Sequence, residues 1–514
     1  MQCRAGEPNL NRANPLNLYS VYRSRFASMD SVLLTTESGV TYTYGDAEHY
    51  SAQIANYLNQ LGLQQGDRVT VQVEKSVEAL WLYLGTIRAG LVFHPLNPAY
   101  TDEEVLFFLN DASPRLVVCD SKRERKLQDM CQALGSVHLH TLDADGMGTL
   151  MQCAQDCSDD FATAQTSSTD LAALVYSSGT TGKPKGIMLS HGNLVENASV
   201  LVDYWGFSRN DCLLHALPIF HVHGLFVAIG CVLMSGSKMR WINGFEVATV
   251  LSNLPHCTVM MGVPTYYTRL LAEPGFSAQS CRAVRLFISG SAPLLADTFA
   301  EFERRTGHRI LERYGMTETG MNTSNPLHGS RRAGTVGLPL PGVDVRVCGA
   351  GNQALTENEV GELQVRGPNV FRGYWNLPEQ SARDFTADGY FKTGDLAVVD
   401  QQGYVAIVGR AKDMVISGGL NVYPKEIELL LDEIPGVKES AVIGLPDPDF
   451  GEIVVAVVVP AAGVAPSAED IRDAIKDRVA KFKVPKKVLF IDELPRNSMG
   501  KVQKDLLRKR YSAA

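Results

Sequence analysis

The run YSSGTTGKPKG, residues 176–186, gathers side chains suited to holding phosphate. Ser177, Ser178, Thr180 and Thr181 offer hydroxyl donors, and Lys183 and Lys185 add positive charge. Gly179 and Gly182 let backbone N–H groups approach an anion closely. Successive N–H groups in such a turn form an anion nest. An apolar strand pattern at 171–175 leads into the run, which closes on a Lys-Pro-Lys turn, an order that argues against a flexible Ser/Gly linker. No Gly-Lys-Ser/Thr follows at the Walker spacing, so the residues predict a nucleotide loop of another kind.

Six further segments follow in order: LPIFHVHGL at 217–225, ISGSAPL at 288–294, ERYGMTET at 312–319, YFKTGDL at 390–396, GRAKDMVISGGLNVYPKEIE at 409–428 and PRNSMGKVQK at 495–504. Together with the phosphate run they resemble the adenylate-forming superfamily of acyl-CoA synthetases, non-ribosomal adenylation domains and firefly-type luciferases. The resemblance spans about residues 18–511. It implies an acid–CoA ligase with two half-reactions at one site. A carboxylic acid takes AMP from ATP with loss of pyrophosphate, and the acyl group then passes to coenzyme A. ATP and CoA are co-substrates and Mg²⁺ is the cofactor.

Residue roles follow from the same resemblance. Tyr314 would stack on adenine, with Gly290, Ser291 and Ala292 supplying backbone contacts, and Glu312, Arg313, Gly315 and Met316 completing the nucleotide segment. Thr317 would touch phosphate, and Glu318 would hold Mg²⁺ with Ser177. Asp395 would accept both ribose hydroxyls, with Arg410 beside it. Lys501 would bind the carboxylate and the α-phosphate, and stabilise the charge that builds there as pyrophosphate leaves. It is also a position at which relatives are acetylated, which implies a lysine acetyltransferase as a partner. Lys412 would be the hinge about which a C-terminal domain rotates. The rotation would bring Ser417, Gly418 and Gly419 to shape the pantetheine tunnel. A nucleotide-binding protein without catalysis is the rival class. Lys501, Asp395 and Glu318, which a degenerate relative would lose, are all present.

The acid pocket would be lined by the start of 220–227, the strand pattern at 284–289 and the region of Met316. A period of two puts Arg285, Phe287 and Ser289 on one face of that strand, with His221 and His223 in the facing segment. A buried arginine needs an anion: a second carboxylate on the substrate, or an internal partner such as Glu312. The segments EKSVEALWLYLGTIRAG, HPLNPAYT, HALPIFHVHGLF, GVPTYYTRLL, RLFISGSAPLLADT, LERYGMTETGMNTSNP and LPRNSMGKVQK together resemble malonyl-CoA synthetases. That implies malonate as substrate, methylmalonate as a poorer one, and Met316 as the limit on the C2 substituent. Arg285 is the first candidate for the distal carboxylate, with Arg269 and His223 as alternatives; another short-chain or aryl acid is the alternative substrate.

These residues need a scaffold that brings distant loops together. Strand patterns at 67–73, 114–120 and 284–289 alternate with helical ones such as 76–89, which predicts a largely parallel α/β architecture. A β-rich stretch at 361–408 precedes a change near GRAKD. Residues 1–410 are therefore read as a large multi-subdomain N-terminal domain, its first 30 or so an extension, and 411–514 as a small mobile α+β lid. In the lid, a helix from Pro424, strands at 440–444, 454–459 and 488–491, and a helix at 468–481 are expected. The net charge of −8 disfavours nucleic acid and anionic membrane as partners. The ten cysteines fit no zinc spacing, and no run of eighteen apolar residues occurs. The chain is expected in the cytoplasm, with the arginine-bearing N-terminus leaving an organellar transit peptide open.

Overall fold

The computed structural model describes residues 14–135, 137–177, 184–417, 420–461, 463, 466–497 and 500–512. Among these, the strands form four sheets. The first runs in the order His138–Thr141, Leu116–Cys119, Arg68–Gln72, Val92–Pro95, Leu171–Tyr176, Gly186–Ser190, and only its last pair is antiparallel. The second has a parallel centre in the order Leu311–Met316, Leu286–Ser289, Val259–Gly262, Cys212–His215, Lys238–Trp241, Val32–Thr36. Its edges are antiparallel. Central strands such as Leu116–Cys119 and Leu286–Ser289 are buried throughout, as parallel strands covered on both faces must be.

Helices fill the space between the sheets, and side-chain caps set where they begin. Thr43 and Asp46 form a capping box at the start of Tyr44–Gln60, Ser76 caps Val77–Arg88, and Ser190 with Asn193 caps His191–Tyr204. Val77–Arg88 is buried along almost its whole length. A β-carbon at its Gly85 would lie 2.8 Å from Ile54, so the glycine permits the close approach of Tyr44–Gln60. Tyr44, Trp81, Tyr83, Leu213 and Trp241 belong to one continuous apolar core that joins both sheets.

The third sheet is antiparallel: Asp344–Cys348, Gly361–Arg366, Phe391–Val399, Val405–Arg410. Its register sets Asp395 directly opposite Arg410. The fourth sheet contains Leu420–Val422, Val415–Ser417, Gly451–Pro460 and Val437–Asp447, with Lys487–Phe490 parallel to Gly451–Pro460. Along Gly451–Pro460, Val454, Ala456 and Val458 pack under Pro424–Asp432 and Ala468–Ile475, while Ile453, Val455 and Val457 pack under Lys504–Ser512. Both faces are covered, which explains a strand apolar at every position from Ile453 to Val459. The helix expected at 468–481 ends at Ile475, and the hairpin Val415–Ser417/Leu420–Val422 and helix Lys504–Ser512 were not anticipated.

Between the third and fourth sheets lies a single turn, Ala411–Asp413. Lys412 Nζ stands 3.4 Å from the Asp505 carboxylate, and Arg508 donates to Asp413 at 2.7 Å. Helix Lys504–Ser512 is thus tied by charge to the connection itself. Among the described residues no helix is long and apolar enough to cross a membrane.

Candidate active site

In open parallel sheets, ligands bind beyond the carboxyl ends of the strands. Here those ends deliver most of the residues singled out above. Leu171–Tyr176 leads into the phosphate run, and Leu286–Ser289 into Gly290, Ser291 and Ala292. Leu311–Met316 carries Glu312 to Met316 and then Thr317 and Glu318. Ser178, Gly179, Thr180, Thr181, Gly182 and Lys183 lie outside the described residues, as do Gly418 and Gly419. The feet of the phosphate run are pinned. Ser177 N–H donates to the Lys185 carbonyl at 3.0 Å, and Lys185 N–H to Ser177 Oγ at 3.4 Å. The Lys185 ammonium stands 3.6 Å from Asp384 and over the Tyr374 ring at 4.6 Å.

Asp395 is the most tightly held acid of the cleft, 3% exposed. It accepts from Arg410 Nε at 2.7 Å and from the Tyr314 hydroxyl at 2.5 Å, and its own N–H donates to Thr393 Oγ1. Burial and the Asp395 charge hold the Tyr314 hydroxyl far above its ordinary pKa, so it stays a donor. Burial works against the Arg410 charge, but Asp395, Tyr314 and Glu318 outweigh it and raise its pKa. Both carboxylate oxygens of Asp395 therefore have fixed directions before any ribose arrives. Ser291 adopts a left-handed backbone, φ 71°, unusual for a side-chain-bearing residue and typical of functional turns. Glu312 is buried, and burial pushes its carboxyl up to about 8. Oε1 accepts from Leu294 N–H at 3.1 Å, while Oε2 has no partner among the described residues.

The C-terminal unit reaches this cleft. A β-carbon at Gly500 would meet Thr265 at 3.7 Å, so the Lys501 loop lies against the helix Pro264–Ala272. Asn497 ties the loop: its side chain accepts from Lys501 N–H at 3.0 Å and its N–H donates to the Lys501 carbonyl at 2.9 Å. Lys501 is solvent-accessible, but the walls of the cleft depress its pKa, and Arg410 adds repulsion against attraction from Asp395 and Glu318. Glu318 is buried, and burial raises its carboxyl, with Arg410, Lys501 and Lys185 pulling the other way. The neighbouring cations repel a divalent ion, so the Glu318 carboxylate would hold one only together with the water and phosphate oxygens that the ion brings.

The acid end of the cleft departs from the sequence reading. Arg285 is not in it. Its guanidinium sits at the opposite, amino-terminal end of the strands. There it donates to both oxygens of Asp211, at 2.8 and 3.0 Å, and to the carbonyls of Trp205 and Gly206. The internal-partner alternative therefore holds, with Asp211 rather than Glu312 as the partner. The error came from the strand's polarity: Arg285 precedes Leu286–Ser289, whereas ligand-facing residues follow it. The buried, uncompensated guanidinium is instead that of Arg313, 2% exposed. Its Nε and Nη2 have no partner among the described residues, and it lies under Gly290, where a β-carbon would come within 2.5 Å. Burial lowers its pKa to about 10, which leaves it charged at neutral pH. His223 Nδ1 is 3.3 Å from Ser291 Oγ, and burial together with Arg313 keeps this imidazole neutral. Burial, then Lys501, lowers His221 to about 3. Arg269 is exposed one helical turn beyond Thr265, on the rim. The signal for Arg313 was in the sequence: an arginine inside a strand that must be buried on both faces.

The chain is similar to known enzymes along most of its length. Residues 23–375 match the model of the AMP-binding enzyme family, and residues 426–501 match that of the AMP-binding enzyme C-terminal domain. A malonate–CoA ligase of Arabidopsis thaliana is 35% identical, over 96% of this chain and 89% of that one. The crystal structure of ATP-bound MatB from Rhodopseudomonas palustris superposes with a TM-score of 0.95 at 49% identity, covering 96% of this chain and 99% of the other. Apo MatB from the same organism, 48% identical with coverage of 96% and 99%, gives 0.85, so the arrangement here is nearer the ATP-bound one.

The Asp211–Arg285 assignment is testable by stability. Burial raises the Asp211 carboxyl, but bonds from Arg285, Thr258 and Ser208 outweigh it and lower the pKa. Arg285→Ala should cost about 2 kcal/mol in urea unfolding at neutral pH. Because the folded-state pKa is depressed, the difference from wild type should shrink as pH falls below about 4.

Proposed function

The chain belongs to the AMP-binding enzyme family, and we propose that it is an ATP-dependent malonate–CoA ligase acting through malonyl-adenylate. The observation that carries the substrate is Arg313. A charged guanidinium buried without a counter-ion costs several kcal/mol, and an incoming carboxylate relieves that cost. A dicarboxylic acid of three carbons would offer one carboxylate to Arg313 and the other to the α-phosphate. Ser291 and the neutral His223 supply hydrogen bonds beside it, Arg269 guards the rim, and Met316 leaves little space at C2, which makes methylmalonate the poorer substrate.

Malonate oxygen attacks the α-phosphorus, the bond to the β-phosphate oxygen breaks, and pyrophosphate leaves. Asp395 holds the ribose hydroxyls in directions fixed by Arg410 and Tyr314. The phosphate run and Lys185 receive the β- and γ-phosphates. Lys501 donates to the attacking carboxylate and to the α-phosphate, where negative charge grows. Glu318 would hold Mg²⁺, which screens the triphosphate when bound. In the second half-reaction the CoA sulfur attacks the acyl carbon, its proton leaves to solvent, and AMP departs. For this the C-terminal unit turns about Lys412, withdraws Lys501 and brings up Ser417 and the adjacent glycines.

The primary test is malonate-dependent pyrophosphate release with and without CoA, repeated with acetate, succinate and methylmalonate; equal turnover of acetate would remove malonate from the reading. Arg313→Leu should raise the malonate KM at least roughly tenfold, about 1.4 kcal/mol, with the ATP KM within about twofold. Lys501→Ala should slow adenylation by at least roughly a hundredfold, about 2.7 kcal/mol of barrier, and slow thioester formation from preformed adenylate far less. Lys412→Pro should do the reverse, sparing pyrophosphate release and blocking thioester formation in single-turnover assays.

A further inference from the structure

Away from the cleft surface, a second buried basic side chain has no carboxylate partner within hydrogen-bond reach among the described residues. Lys75 lies in the turn between Arg68–Gln72 and Val77–Arg88 and is 7% exposed. An ammonium has three N–H donors, and three acceptors surround this one: His215 Nδ1 at 2.8 Å, the His215 carbonyl at 2.8 Å and the Ile242 carbonyl at 2.6 Å. The Trp241 ring faces the nitrogen at 4.4 Å, and the His215 imidazole stacks on the same indole, with centroids 5.1 Å apart and planes 10° from parallel. Glu37, which accepts from Asn243 N–H at 2.8 Å, acts on the nitrogen only through its charge.

This arrangement dictates a tautomer. Burial lowers the Lys75 pKa well below its ordinary value, but a carbonyl only accepts, so on a neutral ring His215 Nε2, which faces one, must carry the hydrogen and Nδ1 must accept from Lys75. Nε2 points at the Gly224 carbonyl, 3.0 Å away. Burial and the Lys75 charge keep the imidazole neutral, as that assignment requires. Gly224 belongs to the π-helical segment His223–Ala228. A β-carbon there would come within 2.0 Å of the Pro218 carbonyl, so no side chain of its own can brace the turn. A π-turn sacrifices regular i→i−4 bonding and is found mostly at functional sites. The bond from His215 supplies the missing restraint, and the residue so placed is His223, which meets Ser291 and neighbours Arg313.

We propose that Lys75 is a positioning residue for the acid pocket: through the His215 tautomer it holds the π-turn that sets His223 beside Arg313, and so supports selection of a dicarboxylic over a monocarboxylic acid. This rests on the ligase reading above. Acid-dependent ATP–pyrophosphate exchange by the wild-type protein tests that reading separately: if no acid supports exchange, the reading fails whatever Lys75 does.

The experiment is steady-state exchange with malonate and with acetate. It is run on the full chain and on Lys75→Met, His215→Phe, His215→Gln and the Lys75→Met/His215→Phe double variant. Lys75→Met and His215→Phe should each raise the malonate KM roughly tenfold, with kcat within about threefold and the ATP KM within about twofold. The preference for malonate over acetate should fall by a similar factor. The double variant should be no worse than either single one, because both break the same chain. His215→Gln, whose amide can accept from Lys75 and donate to Gly224, should recover most of the wild-type KM. If Lys75→Met does not fold, the contrast between Phe and Gln at position 215 carries the test alone. A malonate KM within about twofold of wild type in His215→Phe would overturn the proposal. So would equal rises in the malonate and ATP KM values, or additive losses in the double variant.

Discussion

A positive charge held out of water without a counter-charge is the constraint on which the cleft depends. Arg313 pairs with no carboxylate among the described residues, and two of its nitrogens donate to nothing there. Every other charge near it is arranged so as not to compete. His223 is kept neutral, and Glu312, next along the strand, is held toward its protonated form by burial. Asp395 is already committed to Arg410 and Tyr314. The strand Leu311–Met316 thus separates two functions by its two faces, since alternate residues of a strand point opposite ways. Glu312 and Tyr314 turn toward one side, Arg313 toward the other.

The same logic operates between the two units of the chain. Lys501 is carried on a loop of the C-terminal unit yet lies in the field of Asp395, Glu318 and Arg410, all from the N-terminal part. Without nucleotide, burial and repulsion from Arg410 outweigh the attraction of Asp395 and Glu318 for the ammonium. Added phosphate tips the balance, because each phosphate brings negative charge into a cleft lined by Lys185, Arg410 and Lys501. The arrangement of the chain matches the ATP-bound form of MatB more closely than the apo form.

Much of this was legible in the sequence because motif residues fall at strand ends, where backbone geometry alone converges them. The strands at Arg68–Gln72 and Leu116–Cys119 and the helix Val77–Arg88 lie within two residues of their expected bounds. The short hairpin Val415–Ser417/Leu420–Val422 was missed because strands of three residues leave no periodicity to read. Helix Lys504–Ser512 is so charged that only Leu507 is buried, which hid its apolar side. Arg285 misled because periodicity assigns a face of a strand but not which end meets the ligand. Lys75 was invisible for a different reason: its partners are His215, which ends a strand of another sheet, and Ile242, which follows the next strand of that sheet.

The contact between Lys412 and Asp505 is exposed to solvent and long for an ion pair. Pairs of this kind contribute about 0–1 kcal/mol and are screened by salt. The pivot proposed at Lys412 leans on such a contact, so its resting position would be adjustable from outside the protein. Raising the ionic strength would shift the occupancy of the two arrangements by up to about fivefold. The relative pace of the half-reactions would then drift with the electrolyte around the enzyme, although neither bond-making step had changed.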